Sequence, residues 1–154
     1  MDDIDRRLLA LLQEDATRSF AVLGKAVGLS GAAAHERVRK LRERGVIRRT
    51  TIEVDPVALG LNVLAHVLID SRAWMGDPPT REALLAMDWI EEAHIIAGAA
   101  SVLVKVRTPG TRELQAALRR LHELDGVSGT QAIVVLETFF ERPPTPFDAA
   151  PPEA

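Results

Sequence analysis

The chain has 154 residues, 47% of them hydrophobic, which suffices for one or two small domains with cores of their own and not for a large catalytic domain. It has no cysteine, which excludes disulfides and thiolate metal sites, and its four histidines, His35, His66, His94 and His122, are scattered instead of spaced as ligands. No run approaches the roughly 18 apolar residues of a membrane helix, and Met-Asp-Asp-Ile-Asp is too acidic to begin a secretory signal, so a cytoplasmic protein with no metal and no cofactor is expected.

The net charge of −3 conceals an asymmetry: residues 1–50 hold eleven Lys/Arg against seven Asp/Glu, and residues 51–154 hold eight against fifteen. A domain that meets phosphate joined to one that does not produces such a split.

Asp2 or Asp3 can cap a first helix of about three turns, with Ile4, Leu8, Leu11 and Leu12 on one face. Ser19 opens a shorter helix with Leu23, Ala26 and Val27 inward, and Gly28 stands at its left-handed end. Gly24 sits inside that helix at a cost of about 1 kcal/mol against alanine, so close contact between the second and third helices is the expected compensation. Ser30 caps the third helix, in which Ala34, Val38 and Leu41 recur at helical spacing, and Gly45 ends it. Three short helices with a tight Gly-Leu-Ser turn predict a helix-turn-helix. The β-branched run "VIRRTTIEVD" adds a strand or two as a wing, closing a DNA-binding domain over 1–54.

A linker over 55–61, "DPVALGL", leads to a second domain over 62–142. Its predicted order is strand 62–71, helix 80–87, strand 90–97, strand 101–108, helix 111–124 and strand 128–140, the ferredoxin-like βαββαβ pattern of an α+β protein. The second of these helices carries Leu114, Ala117, Leu118 and Leu121 on one stripe, with Gly126 past its end. Trp74 and Trp89 are read as packing anchors, with Trp74 and Met75 also placed to line a pocket, and His66 and His94 as interface or core histidines. Beyond this domain "RPPTPFDAAPPEA" is proline-rich, and 143–154 is expected to be a disordered tail.

In the first strand Val63, Ala65, Val67 and Ile69 share one face while Leu64 and Leu68 lie on the other, and "AIVVLETFF" is apolar almost throughout. Two helices cover one face of such a sheet, so the other is expected to pack on a second copy as an obligate dimer.

In the third helix, inward Ala34, Val38 and Leu41 turn Gly31, Ala32, Ala33, His35, Glu36 and Arg39 outward, beside the capping Ser30. Small side chains let a helix enter the major groove closely and touch thymine methyls. Arg39, Lys40, Arg42, Arg44, Arg48 and Arg49 follow toward the helix end and wing, where they suit flanking phosphates of double-stranded DNA. The same run also reads as an ordinary solvated helix with Glu-Arg pairs. Arg37, at the edge of the inward stripe, is expected to pair with a carboxylate such as Asp15.

The stretches "LLALLQEDATRSFAVLGKAVGLS", "RVRKLRERGVI" and "VLVKVRTPGTRELQAALRRL" resemble the Lrp/AsnC family of feast/famine regulators from Asp3 to about Arg142. The resemblance implies a transcriptional regulator, not an enzyme, with an amino-terminal helix-turn-helix and a carboxy-terminal RAM-type sheet domain. It further implies a dimer assembling to an octamer, and a free amino acid bound between dimers. The family's effector loop usually reads Gly-x-Tyr/Phe-Asp-Tyr/Phe; here it reads Gly98-Ala99-Ala100-Ser101-Val102, keeping the glycine and losing the acid and both rings. These five residues are the expected effector contacts, their amides taking the carboxylate, Ser101 the ammonium group, and the vacated volume a large apolar or aromatic side chain. Gly98 equally serves a plain hairpin turn, and loss of effector binding in an architectural DNA-binding protein is an alternative. A siroheme-decarboxylase-like enzyme using His94 and Arg107 is a more distant one.

Overall fold

Asp2 accepts from the Asp5 amide at 2.8 Å while the Asp5 carboxylate reaches back to the Asp2 amide, a reciprocal cap that starts α1 (Asp3–Glu14). Ser19 caps α2 (Phe20–Ala26) and Ser30 caps α3 (Gly31–Glu43), their hydroxyls accepting from the Val22 and Ala33 amides. Gly28, at φ +74°, turns the chain between α2 and α3. Leu8, Leu23, Val27, Ala34 and Val38 form the core of these three helices, ringed by Ile4, Leu11, Leu12, Phe20, Leu29 and Ile47. Ala26, expected inward, is exposed; the buried positions of α2 are Leu23 and Gly24.

The computed structural model describes residues 1–147, which divide into two units, Met1–Glu53 with residues 140–147, and Val54–Phe139. In the first unit, residues 143–147 carry no helix or strand, yet the carbonyls of Pro144 and Pro146 accept from Gln13 and Arg6 of α1, each at 3.0 Å. The rest of the predicted tail, 148–154, lies outside the described residues.

No wing strand forms over residues 46–55. A strand must pair its amides and carbonyls with a neighbour, and Ile52, 81% exposed, and Val54, 47% exposed, lie at the surface with no second strand beside them.

The second unit is a four-stranded antiparallel sheet with two helices on one face. In chain order it runs β1 (Val63–Ser71), α4 (Pro78–Leu85), β2 (Ile90–Ile95), β3 (Val102–Thr108), α5 (Thr111–His122) and β4 (Val127–Val134), with sheet order β2-β3-β1-β4. The register sets Ala65 against Val106, Val67 against Val104 and Ile69 against Val102. All six are buried under Leu84 of α4 and Leu114, Ala117 and Leu121 of α5. α4 begins two residues earlier than predicted because Asp77 caps it from the Thr80 amide and Pro78 and Pro79 fill its first positions. β4 ends at Val134, not at residue 140: the Val135 amide reaches the Leu64 carbonyl at 2.9 Å, and β1 begins at Val63, so later residues outrun their partner.

The other sheet face is mixed, not apolar throughout. Leu64, Leu68, Leu103 and Ile133 lie on it, with His66 between the two β1 leucines and opposite Lys105 and Ile133. Toward β2, Arg107 donates to Glu91 at 2.6 Å, and Lys105 lies 3.5 Å from Glu91 and 3.8 Å from Glu92. Trp89 packs against the helix-side core as expected, whereas Trp74 is 74% exposed and anchors no core.

Candidate DNA interface and effector cavity

With Ala34, Val38 and Leu41 buried, α3 presents its opposite face to solvent. Ala32 is exposed and Ala33 half-buried, which keeps the first turn flat. Gly31 does not belong to that surface: a Cβ on it would lie 3.2 Å from the Ala21 backbone, so it faces α2 and lets the two helices close up. Ser30 spends its hydroxyl on the cap. His35 is exposed but held, its ring edge-on to Phe20 at 4.7 Å.

The centre of the face is an ionic cluster. Glu36 takes two donors from Arg39, Nε at 2.9 Å and Nη2 at 2.6 Å, with Lys40 Nζ 3.7 Å away. Arg39 Nη1 also donates to Glu43 one turn on. The Arg39 hydrogen bonds, aided by the charge of Arg39 and then Lys40, hold the Glu36 carboxyl down at about 2. The same contacts, with Glu43, raise Arg39. Arg39 is therefore less available to DNA than its position in the sequence suggests.

Arg37 is a structural partner as expected, but of Asp2 at 2.7 Å and Asp5 at 2.8 Å, not of Asp15. It ties α3 to the capping box of α1, while Asp15 accepts from Thr17 and pairs with Arg18. Asp2 is lowered by the Asp5 amide first and by Arg37 second. Among the described residues no carboxylate pairs with Arg42, Arg44, Arg48 or Arg49, and all four are exposed. Free guanidiniums of this kind suit phosphate contact.

In the second unit the loop from β2 to β3 turns through Gly98 at φ +147°, with open space where a Cβ would stand. Ser101 donates its amide to the Ile69 carbonyl at 2.9 Å and accepts from the Ile96 amide at 3.1 Å, so the loop is stitched back to the sheet and that amide is committed. Gly98 and Ala99 are exposed, while Ala100 is 9% and Val102 1% exposed. Beside the loop, between α4 and β2, opens a cavity of about 540 Å³. Met75, Leu84, Met87, Ile95 and Val102 line its apolar part, and Asp77, Arg81, Asp88, Glu91, Glu92 and His94 its polar part. Of the five loop residues only Val102 reaches it. The α4 residues were not among the predicted contacts; the signal that could have found them is the Asp77-Pro78-Pro79 helix start. His94 lies 3.2 Å from Glu92 and Arg107 is bound to Glu91, so the pair considered for tetrapyrrole chemistry is engaged with carboxylates. Among the described residues there is no cluster of His, Asp and Glu suited to a metal ion, and no helix long and apolar enough to cross a membrane.

Residues 1–42 match the AsnC-type helix-turn-helix domain, and residues 64–145 match the Lrp/AsnC ligand binding domain. The chain is 37% identical to the HTH-type transcriptional regulator FL11 of Pyrococcus abyssi over 92% of its own length and 93% of that protein's. The structure of E. coli AsnC superposes with a TM-score of 0.87 at 28% identity, covering 94% of this chain and 98% of that one. A feast or famine regulatory protein of M. tuberculosis, solved in complex with L-methionine, gives 0.84 at 30% identity, covering 91% and 95%. The named relatives are transcriptional regulators, not enzymes.

Proposed function

Because the chain belongs to the Lrp/AsnC family of helix-turn-helix transcriptional regulators, with a DNA-binding domain and a domain for an amino-acid ligand, we propose that its effector is a large apolar or aromatic amino acid. The observation that carries this reading is the cavity beside the loop: Val102 stands on its wall where the family's usual sequence has a ring, and about 540 Å³ stays open between an apolar side of methionines and aliphatic side chains and a polar side of Asp77, Arg81, Asp88, Glu91, Glu92 and His94. Pockets of roughly 300–1,000 Å³ accommodate small ligands. In the single chain Gly98, Ala99, Ala100 and Ser101 lie outside that cavity; where a second dimer closes over the loop, the amides of the first three are the donors for the carboxylate, and Ser101 is the polar contact for the amino group. The complex of the M. tuberculosis relative with L-methionine, an apolar amino acid, supports the same class.

DNA is met by the outward face of α3, from Ser30 through Ala32, Ala33, His35, Glu36, Arg39 and Lys40, with Arg48 and Arg49 on phosphate. The copies pair through the open sheet face, with Leu68, Leu103 and Ile133 on it, and the dimers assemble further around the effector, to an octamer. Isothermal titration with phenylalanine, leucine, tryptophan, aspartate and glycine tests the effector. The hydrophobic three bind tightest, Val102→Phe excludes the largest first, and Gly98→Val abolishes binding because φ +147° strains any side chain there. Tightest binding of aspartate or glycine contradicts the volume argument, and no binding by any amino acid favours an effector-free architectural protein.

A further inference from the structure

Within the DNA-binding reading above, on which this inference rests, we propose that Glu36 is the base-reading side chain of α3. It selects cytosine by accepting a hydrogen bond from the exocyclic N4 amino group in the major groove, and Arg39 is its positioning residue. With Ala34, Val38 and Leu41 buried, a rotation of 100° per residue sends position 36 diametrically away from the core. Ala32 precedes it by one turn on the same face, so nothing bulky keeps that part of the helix from the groove floor. The amino-terminal half of a recognition helix is the part that reaches base edges.

Arg39 is poorly placed to read a base itself. Its Nε and one N–H of Nη2 go to Glu36 and one N–H of Nη1 to Glu43, so three of its five N–H groups are used and the two carboxylates fix where the remaining two point, whereas reading guanine takes a parallel pair of donors aimed at O6 and N7. Glu36 keeps acceptor capacity: each carboxylate oxygen has about two lone-pair directions, and Arg39 takes one on each. The two-point grip also fixes the plane of the carboxylate, which a free glutamate would have to order on binding. A lone carboxylate among phosphates would be repelled, and the adjacent charges of Arg39 and Lys40 offset that. With its carboxyl held at about 2, Glu36 is ionised and solely an acceptor at neutral pH. Among the four bases only cytosine shows the major groove a donor with no acceptor of its own; adenine sets N7 beside N6, and guanine and thymine show acceptors.

The test uses the full chain. Duplexes selected from a random pool by the wild type define its half-site, and dissociation constants are measured for that site and for every single-base change. One position in each half-site demands cytosine, its replacement costing about tenfold in affinity. Glu36→Ala removes the preference there alone and leaves binding to other sequences intact. Glu36→Gln moves it to adenine, whose N6 and N7 match a carboxamide. Selectivity unchanged in both variants, or a uniform loss over all sequences in Glu36→Ala, overturns the assignment while the DNA-binding reading stands. A wild type that binds no duplex overturns both.

Discussion

Gly24 governs how closely the turn before α3 approaches α2. Its amino-terminal neighbours run as helix, so propensity alone favours alanine by about 1 kcal/mol. A Cβ there would nevertheless meet the carbonyl oxygens of Leu29 and Ser30 at 2.7 Å, and these belong to backbone that cannot swing aside. The steric effect wins. Gly24→Ala is expected to destabilise by about 1–3 kcal/mol, read from chemical denaturation of the full chain; a neutral or stabilising result would show that the turn can open. The need for a small residue was readable from the sequence, but its neighbour was not: the contact is with the turn, because Leu29 folds back to give its amide to the Gly24 carbonyl at 2.8 Å. Arg37 taught the same lesson. Its edge position announced an ion pair, and only the packing of α3 on α1 selected Asp2 and Asp5 over Asp15.

Elements were readable where their ends are written in side chains. Ser19, Ser30, Gly28 and Gly45 bound α2 and α3 as local chemistry dictates. The wing and the far half of β4 were misread for one reason: a β-branched run records a preference for pairing and not whether a partner exists. Residues 48–55 have no neighbouring strand, and residues past Val135 have passed the end of β1. The ionic cluster of α3 was readable in its spacing, Glu36 to Arg39 and Arg39 to Glu43, though its effect on Arg39 was not. It has a consequence for acid stability. Glu36 lies at about 2 in the folded chain against an ordinary 4.5, so it binds its proton more readily when unfolded. Its stabilisation is complete above about 4.5 and is lost as pH falls toward 2, and Asp2, also lowered, acts in the same direction. Melting temperatures by circular dichroism are expected to fall between pH 5 and 2, and less steeply in Glu36→Gln. An equal slope in the variant would mean that the cluster contributes nothing to folding.

For the molecule, patterning established an α+β chain of two units, and the comparisons establish its family. Of the cavity only Met75 was readable as a pocket residue, and Trp74, expected beside it, is not in the lining; Leu84 and Ile95 come from separate segments that only the packing of α4 beside β2 brings to it. The face proposed for pairing was half readable: its apolar residues show in β1, but the Glu91–Arg107 and Lys105 pairs appear only once register sets β2 beside β3. A charge at Leu136, past the end of β4 and 97% exposed, would test little. Ile133, opposite His66 on the open face and 50% exposed in the single chain, is the better place. Ile133→Glu is expected to turn a dimer into a folded monomer by light scattering, since an unpaired charge between sheets costs several kcal/mol. A dimer of unchanged stability would remove this face from the interface. The central claim joins the two units in function: an apolar amino acid alters the grip on DNA. Dissociation constants for a selected duplex, measured by fluorescence anisotropy with and without saturating phenylalanine, leucine or aspartate, test it most directly. The account predicts a shift of about 5- to 150-fold with phenylalanine or leucine and none with aspartate; identical affinities under every condition, or a response to aspartate alone, would contradict it.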